Sequence, residues 1–147
     1  MKVLICDDDK CIVDEIKNNL NTFSDKHRIV FDIDLFYNGV ELLNSNISYD
    51  MAFIDIEMPL VNGLTLSAQL KKVNSNIIIF IITSHDAYLD DAMDLDVFRY
   101  LSKPIDNNRF FRALHQRKLH GLLIGHVLDD DRHLGEARHP AGPPAAL

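Results

Sequence analysis

Met51-Ala52-Phe53-Ile54-Asp55-Ile56-Glu57-Met58-Pro59, with Gly63 soon after, is the stretch that decides the fold. A short, wholly apolar run before turn residues reads as a strand buried on both faces, the kind found in parallel sheets covered by helices. A carboxylate closing such a strand is rarely structural, because a buried charge must be compensated. Other segments share the design. Val3-Leu4-Ile5-Cys6 runs into Asp7-Asp8-Asp9, Ile77 to Ile82 runs into Thr83-Ser84, and Tyr100-Leu101-Ser102 ends in Lys103-Pro104. In an open parallel sheet ligands bind just outside the carboxyl ends of the strands. Acids, a hydroxyl and an ammonium are therefore expected to converge on one crevice, a donor set suited to phosphate and a metal ion.

Outward from these strands, helical and extended patterns alternate, which predicts βα units and an α/β, doubly wound parallel sheet. Ile12, Val13, Ile16, Leu20 and Phe23 recur at helical spacing behind the acidic turn. Phe31-Asp32-Ile33-Asp34-Leu35 alternates strictly, so this strand is expected at an edge, with one wet face and one buried face. Asn38-Gly39 opens a short helix through Val40, Leu42 and Leu43, and another helix carries Leu64, Leu66, Ala68 and Leu70. Ala87 to Met93 predicts a weak, polar helix, and Phe110, Phe111 and Leu114 belong to the last. The expected tally is five strands and five helices in alternation.

A chain of 147 residues suits one compact domain. The net charge of −7 argues against this surface gripping a nucleic-acid backbone, so any DNA role needs another module. Cys6 and Cys11 provide neither a disulfide framework nor metal-ligand spacing and are expected to be reduced thiols. Met1-Lys2 leads straight into a strand and no apolar run has membrane-spanning length, which predicts a soluble, cytoplasmic protein. The composition shifts near Leu119: Gly121 to Leu147 contains no Asn or Lys, one Ile, and ends in Pro140-Ala141-Gly142-Pro143-Pro144 and two alanines before Leu147. Residues 120–147 are thus expected to be a non-native tail, appended or frame-shifted, where an output domain has been lost. Leu119, Leu122, Leu123 and Val127 continue a helical stripe, so the last helix is expected to run on into it.

Asp7-Asp8, Asp55 with Met58-Pro59 and Gly63, Thr83, Tyr100 and Lys103-Pro104 match, in order and spacing, the pattern of bacterial response regulator receiver domains, which the chain resembles over residues 1–119. The resemblance implies a flavodoxin-like (βα)5 fold with strand order 2-1-3-4-5. Asp96 to Phe111 is most similar to receivers that precede a LytTR-type DNA-binding domain. It further implies that Asp55 is the phosphoacceptor and that a sensor histidine kinase supplies the phosphoryl group from a phosphohistidine. The metal would be Mg²⁺, ligated directly by Asp8, Asp55 and the main-chain carbonyl of Glu57, with Asp7 holding a metal-bound water. Crowded acids raise one another's pKa, and oxygen donors with open positions suit this ion. Lys103 supplies a second positive charge and Thr83 a hydroxyl to the phosphoryl oxygens. Thr83 and Tyr100 form the switch, the tyrosine turning inward on phosphorylation. Activation is expected to pair two copies through the last two helices and the strand between them, controlling a transcriptional output. The domain would catalyse only its own phosphorylation and dephosphorylation.

Blander readings stand beside these. Acids are favoured in the first turn of a helix, and Asp9 is assigned to that capping role. Lys103 could be a turn lysine and Tyr100 a core aromatic. His85 is expected to be an exposed loop histidine near the mouth of the site, and His27, His115, His120, His126, His133 and His139 show no metal spacing. The rival function is a haloacid dehalogenase-like phosphatase with Asp7 as nucleophile, Thr83 and Lys103 binding phosphate, and Asp129-Asp130 as late metal ligands. It leaves Asp55 and Met58-Pro59 unexplained and has no cap domain for substrate. A receiver-like interaction module that is never phosphorylated is disfavoured by the presence of every acid, Thr83 and Lys103. No Gly-rich phosphate loop or dinucleotide fingerprint occurs.

Overall fold

The computed structural model describes residues 1–120, with side chains as far as Gln116. In chain order the elements are β1 (Lys2–Cys6), α1 (Lys10–His27), β2 (Asp32–Phe36), α2 (Gly39–Leu43), β3 (Met51–Ile54), α3 (Gly63–Val73), β4 (Ile78–Thr83), a 3-10 turn (Asp86–Tyr88), α4 (Leu89–Asp94), β5 (Arg99–Ser102) and α5 (Asn107–His120). All strand pairs are parallel and the order is β2-β1-β3-β4-β5, as expected. Met1–Phe111 form one compact unit that holds the entire sheet; a second begins at Arg112, and of it only the end of α5 lies within the described residues. The expected tail beyond His120, with Asp129, Asp130, His126, His133 and His139, lies outside them.

The strand sequences sort themselves by burial. β3 and β4 are buried at every residue and β1 at all but Lys2, which is what helices on both faces require. The aromatic side chains stack on one face: Phe53 lies 4.7 Å from Phe80 and 5.4 Å from Phe110 of α5, ring centre to ring centre. The alternate residues Leu4, Cys6, Ala52, Ile54, Ile79 and Ile81 pack on the opposite face with Leu42, Leu66, Leu70 and Ala92 from α2, α3 and α4. β2 is at an edge as its alternation predicts, yet none of its residues is fully buried. An edge strand has a neighbour on one side alone, and here its acids are put to use. Lys2 Nζ lies 3.1 Å from Asp32 and 3.6 Å from Asp34, and the Tyr49 hydroxyl donates to Asp34 at 2.7 Å.

Helix starts follow ordinary capping rules. Asp9, Asn38 and Asn62 each accept a main-chain N–H at the start of α1, α2 and α3, which bears out the cap role assigned to Asp9. The Ala87–Met93 segment begins as a 3-10 turn, has no side-chain cap, and buries only Ala92 along α4. Few apolar anchors make it the least securely held helix of the described residues.

Candidate functional site

Sheet pairing continues one residue past three strand ends, and this aims the polar side chains. The Asp7 N–H donates to the Phe36 carbonyl (3.1 Å), that of Asp55 to Cys6 (3.1 Å) and that of Lys103 to Thr83 (2.9 Å). Asp7 and Asp55 therefore leave adjacent strands at the carboxyl end of the sheet, and Lys103 leaves the edge strand beyond β4, from which its long side chain reaches both. The loop after β3 is shaped to let Asp55 stay there. Gly63 N–H donates to the Ile56 carbonyl at 2.8 Å, and a Cβ on Gly63 would come within 2.0 Å of the Asp55 carbonyl oxygen, so only glycine fits. Between them, Val61 N–H donates to the Pro59 carbonyl at 2.9 Å across Leu60, whose φ of 73° is left-handed. This is a γ-turn of the rare, strained kind, in a residue type that seldom adopts it.

Asp7 and Asp55 are buried, at 1% and 6% exposure. The Lys103 ammonium lies 2.8 Å from Asp7 Oδ2 and 3.1 Å from Asp55 Oδ2. Asp7 Oδ1 accepts the Asp9 N–H at 2.9 Å. Asp7 Oδ2 has no aligned hydrogen bond but does have the ammonium beside it, whereas Asp55 Oδ1 is buried with no partner. Asp8 is exposed, and carboxylate oxygens of Asp7, Asp8 and Asp55 lie within 4.8 Å of one another. Burial chiefly, and then the charge of Asp55, hold the Asp7 carboxyl above its ordinary pKa against the opposing pull of Lys103 and the Asp9 N–H. For Lys103, burial would lower the ammonium, but Asp7 and Asp55 outweigh it and the net direction is up. Burial, reinforced by Asp7 and Asp55, pushes the Cys6 thiol up to about 12, so it stays protonated and unreactive. Cys6 and Cys11 are both free, as expected.

Three clustered carboxylates, only two of them in contact with the one ammonium, leave negative charge uncompensated, and an orphaned buried oxygen points to a further positive partner. An oxygen-only donor set suits a hard divalent cation. The residues present thus fit such an ion. Among the described residues no histidine joins a cluster of this kind.

Thr83, the last residue of β4, is fully buried and accepts the His85 N–H on its hydroxyl at 3.4 Å. The Tyr100 hydroxyl donates to the His85 carbonyl, and its ring packs against the core. Tyr100 is therefore tied to the β4–α4 connection through a bond at the surface. Glu57 and His85 hold a further surprise. His85 is exposed as expected, but its Nε2 lies 2.9 Å from Glu57 Oε2, and the Tyr88 hydroxyl donates to Glu57 Oε1 at 3.2 Å. The side chain of Glu57, valued at first for its carbonyl alone, spans two loops. A signal existed: Glu57 and His85 each stand two residues past a site residue, Asp55 and Thr83, at the ends of paired strands.

The chain matches the response regulator receiver domain model over residues 3–115. It belongs to the response regulator receiver family. The receiver is 30% identical over 118 residues to the sensory transduction protein LytT of Bacillus anthracis, a match covering 80% of the chain and 47% of that protein. It is 31% identical over 116 residues to the transcriptional regulatory protein BtsR of Escherichia coli K12, covering 78% of the chain and 46% of BtsR. The receiver thus spans about half the length of the curated relatives it matches, and the LytT and LytR relatives are in keeping with the LytTR-type resemblance. In fold it is similar to the response regulator TrrA of Thermotoga maritima, solved in complex with Mg(2+)-BeF (TM-score 0.66, 24% identity, 78% of the chain and 96% of TrrA). It is likewise similar to a CheY-like receiver domain protein from Methanospirillum hungatei (TM-score 0.67, 18% identity, 79% and 91%). It is a two-component signalling domain, and the dehalogenase-like phosphatase finds no support. Both oxygens of Asp7 face a fixed cation or N–H, which also suits a holder better than a nucleophile. Among the described residues no helix is long and apolar enough to cross a membrane.

Proposed function

We propose that Asp55 accepts a phosphoryl group from a phosphohistidine on a sensor histidine kinase, with Mg²⁺ held by Asp8, Asp55 and the Glu57 carbonyl and with Asp7 acting through a bound water. The observation that carries this is Asp55 Oδ1, a buried carboxylate oxygen with no partner, on a side chain whose other oxygen is held 3.1 Å from Lys103. That oxygen forms the new bond to phosphorus as the phosphorus–nitrogen bond of the donor breaks and its electron pair returns to the imidazole. Bound Mg²⁺ would neutralise charge on the phosphoryl oxygens. Lys103 offers the same service from the opposite carboxylate oxygen, freed to turn toward the phosphoryl group once it arrives. Thr83 supplies its hydroxyl.

Bonds from Thr83 and Lys103 to a charged phosphoryl group contribute about 1.5 to 3 kcal/mol each. Together they approach the roughly 5.5 kcal/mol that moves an equilibrium from 1:99 to 99:1. The weakly anchored α4 is the element placed to respond, with Tyr100 following the β4–α4 connection to which it is bonded. The surface of α4, β5 and α5 then pairs with a second receiver, and the signal passes to a transcriptional output of LytTR type in the cytoplasm. Residues 1–119 form the receiver and 120–147 a tail of other origin. This domain itself binds no nucleic acid.

Intact mass after incubation with Mg²⁺ and acetyl phosphate tests the assignment. One phosphoryl group should add in the parent, none without a divalent cation, and none in Asp55→Asn. Labelling that persists in Asp55→Asn would sink it. Sedimentation with and without a phosphoryl mimic tests the pairing, which should strengthen on activation and fail to do so in Thr83→Ala.

A further inference from the structure

Glu57 is half-exposed, and a glutamate in that setting ordinarily moves freely. Here both carboxylate oxygens are gripped from one side: Oε2 by His85 Nε2 at 2.9 Å and Oε1 by the Tyr88 hydroxyl at 3.2 Å. The two gripping residues come from the β4–α4 connection and its 3-10 turn, whereas Glu57 comes from the loop after β3. His85 is in turn fixed through its main chain, its N–H donating to Thr83 and its carbonyl accepting from Tyr100. The grip on Glu57 is thus anchored to the buried Thr83 and the partly buried Tyr100.

We propose that His85 and Tyr88 are positioning residues for the divalent cation: by clamping the Glu57 side chain they hold the Glu57 main chain, and hence its carbonyl, in place at the metal site. The inference rests on the proposed metal set, in which Glu57 contributes that carbonyl. A main-chain ligand cannot be oriented by its own side-chain rotamer, so it depends on whatever fixes the residue. Of the acids in the set, Asp7 and Asp55 are held by Lys103, and Glu57 would otherwise lie in a loop containing a strained turn at Leu60. Coupling of this sort is reciprocal. If the clamp favours the metal, the metal must favour the clamp, and Mg²⁺ alone should order Asp86–Tyr88 before any phosphoryl group arrives.

Calorimetric titration of the full chain with Mg²⁺ tests this, comparing the parent with His85→Ala, Tyr88→Phe, Glu57→Gln and the His85→Ala, Glu57→Gln pair. The clamp is half-exposed, so its loss should weaken binding about three- to tenfold, at or below the roughly tenfold minimum typical of buried outer supports of metal sites. The pair should be no weaker than the worse single variant, because both remove one contact, and labelling at Asp55 should recover at saturating Mg²⁺. Amide exchange across residues 86–88 should slow with Mg²⁺ in the parent and not in His85→Ala. Unchanged or tighter Mg²⁺ binding in His85→Ala, or additive losses in the pair, would overturn the clamp while leaving Asp55 phosphorylation standing. A parent that binds no Mg²⁺ would instead remove the metal set on which the clamp depends.

Discussion

Replacing Asp7 by Asn should stabilise the metal-free protein at neutral pH while impairing its chemistry. Asp7 is 1% exposed, and burial is the leading cause of its raised pKa. Lys103 at 2.8 Å and the Asp9 N–H at 2.9 Å recover part of that cost, and Asp55 adds repulsion. The net direction is upward, so the fold on balance disfavours the charged form, and a neutral amide of the same shape removes the penalty. The amide keeps one of the two contacts, and Lys103 retains Asp55. The expected gain is about 0.5–2 kcal/mol, typical of relieving strain at a functional site. For a chain of this size that is about 2–4 °C of melting temperature per kcal/mol. The sign with pH follows from linkage. With a folded pKa above the ordinary 3.8, the folded state holds the proton more tightly than the unfolded one. The penalty is complete above the folded pKa, fades as pH falls through it, and is gone below the ordinary value. Urea unfolding in EDTA at pH 7, repeated in steps toward pH 4, should show the variant more stable at pH 7 and the gap closing with acid. Mg²⁺ should reverse the order, since a ligand at a hundred times its Kd stabilises the parent by about 2.7 kcal/mol. A variant less stable than the parent at pH 7 in EDTA, or a gap that widens in acid, would refute the reasoning.

Asp8→Asn should weaken Mg²⁺ more than Asp7→Asn if the proposed roles hold, because a direct ligand loses a charged bond and an outer one only its hold on water; equal losses by titration would refute this division of roles. Gly63→Ala places a Cβ 2.0 Å from the Asp55 carbonyl oxygen, which must displace main chain; it should cost about 1–3 kcal/mol or more in denaturant unfolding and slow labelling at Asp55. Lys103→Met strips the ammonium from two buried carboxylates and should cost about 3–5 kcal/mol at pH 7. In the parent, the raised pKa of Lys103 means that its contribution is intact below the ordinary 10.5 and lost as pH rises through the folded value, so alkaline unfolding should begin above that point and be less steep in Lys103→Met.

The strand order was implied by the resemblance to receiver domains, whereas the edge position of β2 and the convergence of Asp7, Asp55 and Lys103 were legible in the residues themselves. The latter two rest on short-range pattern: apolar runs, their alternation, and a polar residue at the carboxyl end of each. The cap at Asp9 and the glycine after Met58-Pro59 are legible for the same reason, since a cap and a close approach each constrain residue type locally. Several features had no such signature. Nothing in the string indicates that Leu60 adopts a left-handed φ, because the turn is imposed by its ends at Pro59 and Val61 and by the fixed position of Gly63 under Asp55. That Lys103 divides itself between Asp7 and Asp55, leaving one oxygen of Asp55 unpartnered, depends on the lateral spacing of β1, β3 and β5. The tie from Tyr100 to the His85 carbonyl and the clamp of His85 and Tyr88 on Glu57 join residues 15 to 31 positions apart through loops whose paths are set by the whole sheet. Periodicity and residue type determine which side chains reach the crevice; only packing in three dimensions decides which of them touch, because a contact energy depends on tenths of an ångström that no sequence spacing encodes.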